Sequence, residues 1–163
     1  MRILFVSFGI FLSLALSRFI PHPPNFTTLI ALSFYIPAIF GLRYLPVLIL
    51  SFVITDLVIG FHSTILFTWG SVFIIGIISK YFNVSIVARL SGALLGAIIF
   101  YVITNFGFWL LGSYGYNLNG LVASYTMALP FFGYSIISTI LFSIIIETIY
   151  LSYKKKFQNN YKF

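Results

Sequence analysis

Few side chains in this sequence can do chemistry, and their types limit what that chemistry is. There are two acidic residues, Asp56 and Glu147, two histidines, His22 and His62, and no cysteine. Disulfides, thiolate metal sites and cysteine nucleophiles are therefore excluded. Asp56 lies in an otherwise apolar run, where a carboxylate is costly and is kept for pairing or for function. It suits a solute ligand, a proton or Na⁺ site, or a counter-ion for Arg18. Arg18 could clamp a carboxylate or phosphate; the plainer reading is a structural partner of Asp56 or a snorkelling side chain. His22 and His62, with Asp56 six positions before His62, could hold a transition metal. No HxH or HxxxH spacing supports this, so hydrogen-bonded loop histidines are the simpler account. Asn105 sits near the end of an apolar run and needs partners for its amide, from a solute or from Asp56. Asn25 and Trp109 complete the candidate set. Around Trp109, Phe106, Phe108, Tyr114, Tyr116, Phe131 and Phe132 could stack on a planar solute or form an interfacial aromatic belt. Glu147 is expected to pair with Arg89 or Lys80.

No catalytic constellation appears: HExxH, GxSxG, Walker A and GxGxxG patterns are missing, and the two carboxylates are far apart in sequence. The many Ser and Thr of the apolar runs are expected to bond back to their own helices. An enzyme is not expected, and no cofactor is called for.

The elements that must position these residues are membrane helices. The 163-residue chain is 61% hydrophobic and 7% charged, a composition that excludes a water-soluble domain. Apolar runs predict helices over about 3–19, 28–42, 46–60, 65–79, 85–109 and 130–153, each near the length that crosses a bilayer. A short interfacial helix is expected between the last two. The fold class is thus an all-α membrane protein of six transmembrane helices. Residues 1–153 form one domain and 154–163 a mobile basic tail. The first helix could pass for a signal peptide; the uncleaved span is preferred. Gly9, Ser13 and Ser17 share one helix face, as do Gly92 and Gly96, and both faces suit close helix approach.

Six spans put both termini on one side. Arg2, Arg43, Lys80, Arg89, Lys154, Lys155, Lys156 and Lys162 then share that side, and Arg18 alone stands opposite. This bias places the basic ends and both termini in the cytoplasm. The net charge of +7 is therefore a topology signal, and nucleic acid is not an expected partner. His22, Asn25, Asp56, His62, Asn105 and Trp109 all fall at the outer face.

Three stretches carry a family resemblance: Arg18-Phe-Ile-Pro-His-Pro-Pro-Asn-Phe-Thr27, Asp56-Leu-Val-Ile-Gly-Phe-His62 and Thr104-Asn-Phe-Gly-Phe-Trp109, followed by Gly120-Leu and Pro130-Phe-Phe. The chain resembles an uncharacterised bacterial membrane family described as transport proteins, itself similar to the substrate-binding S components of energy-coupling factor transporters. The resemblance implies a six-helix, S-component-like bundle in the bacterial inner membrane, with a pocket closed by outer loops. It also implies docking on a transmembrane coupling protein with its ATPases, here through Gly9, Ser13 and Ser17. Some S components carry vitamins such as cobalamin, whose cobalt would meet His22 or His62. The resulting expectation is uptake of a small vitamin-like solute or cofactor precursor. Its site would be Arg18, His22, Asn25, Asp56, His62, Asn105 and Trp109. A non-transporting assembly subunit and a small ion channel are the alternatives.

Overall fold

A computed structural model describes residues 2–160, with side chains over residues 3–156. Among the described residues the protein is all-helical. The α-helices are α1 (Arg2–Phe19), α2 (Leu29–Phe40), α3 (Leu45–Ile59), α4 (Ile65–Ile78), α5 (Ile86–Leu110), α6 (Leu118–Met127) and α7 (Leu129–Asn160). Short 3-10 turns, Leu42–Tyr44 and Ser79–Tyr81, flank α3 and α4. Residues from the end of α1, the start of α2, the end of α5 and the start of α7 meet around shared cavities with the α3–α4 loop. The long helices therefore alternate in direction. One end of the bundle carries His22 and His62. The other carries Arg43, Lys80 and Lys154–Lys156.

Local chemistry sets the boundaries. Three prolines in residues 21–24 stop α1, since proline lacks the N–H a continuing helix needs. Thr27 Oγ1 accepts from the Leu29 N–H at 3.3 Å at the start of α2. Ser85 Oγ accepts from the Ala88 N–H at 3.1 Å and caps α5. Asn117 does the same for α6 through the Gly120 N–H at 2.7 Å.

Three helical segments are long and apolar enough to cross a membrane: Leu42–Ile59, Ile86–Leu110 and Leu129–Lys156. The expectation of six comparable spans is met only in part. Ile3–Phe19, Leu29–Phe40 and Ile65–Tyr81 are apolar but shorter. Helix α2, with 12 residues, is about 18 Å long at 1.5 Å per residue. It is the core of the bundle: Leu29 to Pro37 are all buried. The outer surface is apolar, with Leu4, Phe5, Phe8, Leu66 and Ile149 among many large exposed hydrophobic side chains. A surface of this kind is covered by lipid and marks a membrane-associated protein. Helix α7 also runs past residue 153 to Asn160, so the first part of the expected mobile tail is helix. Lys162 of that tail, and the side chain of Arg2, lie outside the described residues.

The two small-residue faces behave differently. A Cβ on Gly92 would overlap the Phe34 ring and lie 2.8 Å from Phe82 Cβ. Close approach of α2 to α5 therefore depends on glycine there. Gly9 meets nothing within 4 Å and is exposed, so the α1 face is open there, whereas Ser17 further along it meets the Thr28 hydroxyl at 2.8 Å. Gly92→Ala should cost about 1–3 kcal/mol through overpacking. Gly9→Ala should change stability by no more than about 0.5 kcal/mol. Unfolding of the purified protein in detergent checks both.

Candidate functional site

Two adjoining cavities of about 240 and 270 Å³ open at the histidine end. Both are lined by Asn25, His62, Thr68 and Phe100, so they are two lobes of one cleft. The smaller lobe reaches Thr104 and Asn105 on α5 and Ser135 on α7. The larger reaches Arg18, His22 and Thr27 beside α1 and α2.

The loop after α1 forms one rim. Asn25 has φ of 62°, a left-handed conformation that Asn adopts more readily than most residues. That kink turns the chain back toward α2. The Phe26 N–H donates to the Pro23 carbonyl at 3.0 Å, and the Thr27 N–H to the Asn25 carbonyl at 3.1 Å. The Asn25 carbonyl also accepts from Ser138 Oγ of α7 at 3.4 Å. His22 Nδ1 lies 2.7 Å from the Pro23 carbonyl. A carbonyl only accepts, so Nδ1 carries the proton and a neutral ring keeps its Nε2 lone pair. On the facing loop, His62 Nδ1 is 3.1 Å from Thr64 Oγ1.

Asp56 is closed off. Its side chain has 0% exposure, against 14% for Arg18. Arg18 donates one guanidinium N–H to Oδ1 at 2.6 Å. Trp69 of α4 donates its indole N–H to Oδ2 at 2.7 Å. Each oxygen has its own donor, and the absence of any exposed surface keeps a solute or a metal from either. Arg18 also donates to Thr55 Oγ1 and lies over the Phe52 ring, 4.6 Å from its centroid. Of the roles open to Asp56, that of Arg18 counter-ion is the one observed, with Trp69 as an unforeseen third member. The three residues tie α1, α3 and α4 together, and the Arg18 side of the latch forms a wall of the larger lobe.

The remaining candidates divide. Arg18, His22, Asn25, His62 and Asn105 line the cleft; Asp56 and Trp109 do not. Asn105 donates to the Tyr101 carbonyl one turn back at 2.8 Å, and does not pair with Asp56. Trp109 turns away and donates to the Asn117 carbonyl at 3.1 Å. That bond, with Tyr101 Oη donating to the Tyr125 carbonyl at 2.6 Å, straps α6 to α5. Of the aromatic group, Phe108, Phe131 and Phe132 line the smaller lobe. Tyr114 and Tyr116 are exposed. No group of three or more potential metal ligands occurs among the described residues. Sequence reasoning missed Phe100, Tyr101 and Thr104. Tyr101 lies four residues before Asn105 and Phe100 four before Thr104, so the four form two neighbouring rows along α5, and that spacing was the signal.

At the lysine end, Glu147 pairs with Arg89 as expected. Arg89 Nε donates to Oε1 at 2.6 Å and Nη2 to Oε2 at 2.7 Å, joining α5 to α7. The Arg89 guanidinium is also near the Tyr150 ring, 5.3 Å from its centroid, and donates to the Asn83 carbonyl at 3.3 Å.

An all-helical, membrane-associated protein with a polar cleft at one end of its bundle is the class these features define. The chain belongs to a family of unknown function, DUF6580, which matches residues 1–160. No curated protein and no solved structure matches it.

The latch has a measurable cost of removal. Asp56→Asn leaves the Arg18 charge without its counter-ion and should destabilise by about 3–5 kcal/mol. Trp69→Phe removes one charge-assisted donor and should cost about 1–2 kcal/mol. Denaturant unfolding in detergent tests both; an unchanged Trp69→Phe midpoint would break the account of the latch.

Proposed function

We propose that the protein binds a small, neutral, hydrogen-bonding solute in the cleft at its histidine end and takes part in its uptake. The observation that carries this reading is convergence. Five polar side chains, from α1, the loop after it, the α3–α4 loop and α5, line one cleft without filling it. Neutrality follows from the latch. Arg18 is the one formally charged side chain lining the cleft among the described residues, and Asp56 already balances it. What remains to meet a solute is the amides of Asn25 and Asn105, the hydroxyls of Thr68 and Thr104, and the two histidine rings. The two lobes, about 240 and 270 Å³, together fall in the lower half of the roughly 300–1,000 Å³ usual for ligand pockets. That favours a compact solute over one with a corrin macrocycle.

The wider reading is an S-component-like bundle of six membrane helices in the bacterial inner membrane, with both termini cytoplasmic. The shortness of α2 supports it. Thr27, Leu29 and Ile30, at the head of α2, line the larger lobe. The cleft thus replaces the missing length of α2, which needs to cross only the remaining thickness. A coupling protein with ATPases would supply the energy. The exposure of Gly9 and Ser13 favours α1 as its docking face, and the same face would serve an assembly subunit.

Binding by the purified protein tests the proposal. A thermal-shift screen of vitamins and their precursors should give a compound that raises the midpoint. His62→Ala and Asn25→Ala, each removing a residue shared by both lobes, should weaken its binding by about tenfold or more, equivalent to about 1.4 kcal/mol. Trp109→Phe, outside the cleft, should leave its Kd within about threefold. Affinity indifferent to His62 and Asn25 would place the binding site elsewhere.

A further inference from the structure

The lysine end carries positive charge that no acidic side chain of the protein answers. The chain has two carboxylate side chains, Asp56 and Glu147, and Arg18 and Arg89 already hold them. None is left for Arg43 or Lys80, and both of these are exposed. Each rests on the ring of the tyrosine that follows it. The Arg43 guanidinium is 5.2 Å from the Tyr44 centroid, and the Lys80 ammonium is 4.7 Å from that of Tyr81. Tyr81 is exposed, and an exposed tyrosine at a membrane helix end favours the headgroup level. The two cations therefore stand at the depth of lipid phosphates.

Next to them an apolar groove of about 540 Å³ runs between α3 and α4. Leu42, Pro46, Leu50 and Val53 form one wall, and Phe73 and Ile77 form the other. Steps of three and four residues keep each set on one helix face. Gly76 lets the two walls approach near the lysine end, since a Cβ there would overlap the Leu45 side chain. That contact also holds together the turns that bear the cations. Arg43 directly follows Leu42, and Lys80 lies three residues after Ile77, so the two flank the mouth of the groove. From Leu42 to Val53 is about 16 Å of helix. This is close to half of the roughly 30 Å hydrocarbon thickness, the depth of one leaflet. A phospholipid brings an apolar chain of that reach with a phosphate already at its end. A partner helix would have to supply both the apolar face and the negative charge.

We propose that the α3–α4 groove binds an acyl chain of an anionic phospholipid from the lysine-side leaflet, with its phosphate held by Arg43 and Lys80. The apolar walls take a chain from any lipid, and the two cations supply the preference for a negative headgroup. Basic recesses between membrane helices hold anionic headgroups in this way. Lys154–Lys156 stand on α7, which is not a wall of the groove, so the preference is local to Arg43 and Lys80. The site lies at the opposite end of the bundle from the polar cleft and is independent of any solute bound there.

Bromine on an acyl chain quenches indole fluorescence at contact, so a tryptophan in the groove reports which lipid fills it. Phe73→Trp puts that reporter in the groove wall, and Ile144→Trp puts a reference on the exposed face of α7. The full chain is reconstituted in mixed vesicles of phosphatidylcholine and phosphatidylglycerol, with brominated chains on one lipid or the other. The signal of the parent chain, from Trp69 and Trp109, is subtracted. Phosphatidylglycerol should be preferred about tenfold at Phe73→Trp and no more than about twofold at Ile144→Trp. Adding Arg43→Gln with Lys80→Gln should bring the Phe73→Trp preference down to the Ile144→Trp value. Replacing Lys154, Lys155 and Lys156 by Gln should leave it within about twofold. Equal preference at the two reporters would overturn the proposal. So would a groove preference that survives loss of Arg43 and Lys80, or one that depends on the tail lysines. A Phe73→Trp signal that neither brominated lipid quenches would overturn it too, because a second copy of the chain or a partner helix then fills the groove.

Discussion

A carboxylate with no exposure, inside a bundle wrapped in apolar side chains, must have both oxygens satisfied or it cannot stay ionised there. Asp56 meets that condition with two donors from two other helices, the Arg18 guanidinium and the Trp69 indole. The rest of the histidine end depends on this arrangement. Arg18 is the last basic residue of α1, directly before the proline-rich rim, so fixing its side chain on α3 fixes where the rim begins. Trp69 directly follows Thr68 and lies five residues after Thr64, so fixing its indole sets the α4 wall that bears those hydroxyls. The latch also decides the chemistry of the cleft. It spends the one positive charge lining the space and leaves amides, hydroxyls and histidine rings.

A second ion pair, Arg89–Glu147, does the corresponding work near the lysine end by joining α5 to α7. Between the two pairs lies α2, buried along most of its length, with Phe34 seated on Gly92 of α5. The bundle is thus a short buried helix surrounded by longer ones, pinned near each end by one ion pair. The cleft occupies space above α2 that a helix of full membrane length would fill. Packing and polar satisfaction are therefore two aspects of one arrangement. Shortening α2 makes room for the cleft, and its hydroxyl and amide lining needs solvent or solute in that room.

Much of this was legible in the sequence because local rules dominate it. Proline after α1, a helix start near Ser85 and a short helix between residues 111 and 129 follow from capping and turn chemistry. Arg18–Asp56 and Arg89–Glu147 were legible because a chain with two carboxylates and few basic residues offers few pairings. Trp69 was not, because its ring counts as apolar in a hydropathy reading and its single N–H donor matters only once α3 lies beside it. Trp109 was assigned to the cleft from proximity in sequence, but its direction depends on α6, whose position no periodicity gives. The length of α2 was overestimated because apolar character continues past Phe40, whereas the helix stops at Gly41, whose φ is 93°. The buried hydroxyls of α7 were read with all other helix hydroxyls as backbone-bonded. Ser135 and Ser138 obey that rule, and Thr139 and Ser143 make no such bond.

The most direct test of the central claim, a hydrated polar cleft held open by the Asp56 latch, is an experimental structure of the full chain in a lipid nanodisc. It should be resolved well enough to show ordered water. The account predicts non-protein density between Asn25, His62 and Asn105, with Arg18 and Trp69 each on its own oxygen of Asp56. A collapsed histidine end, with Phe100 and Phe132 packed into the space and Asp56 turned toward bulk solvent, would contradict it.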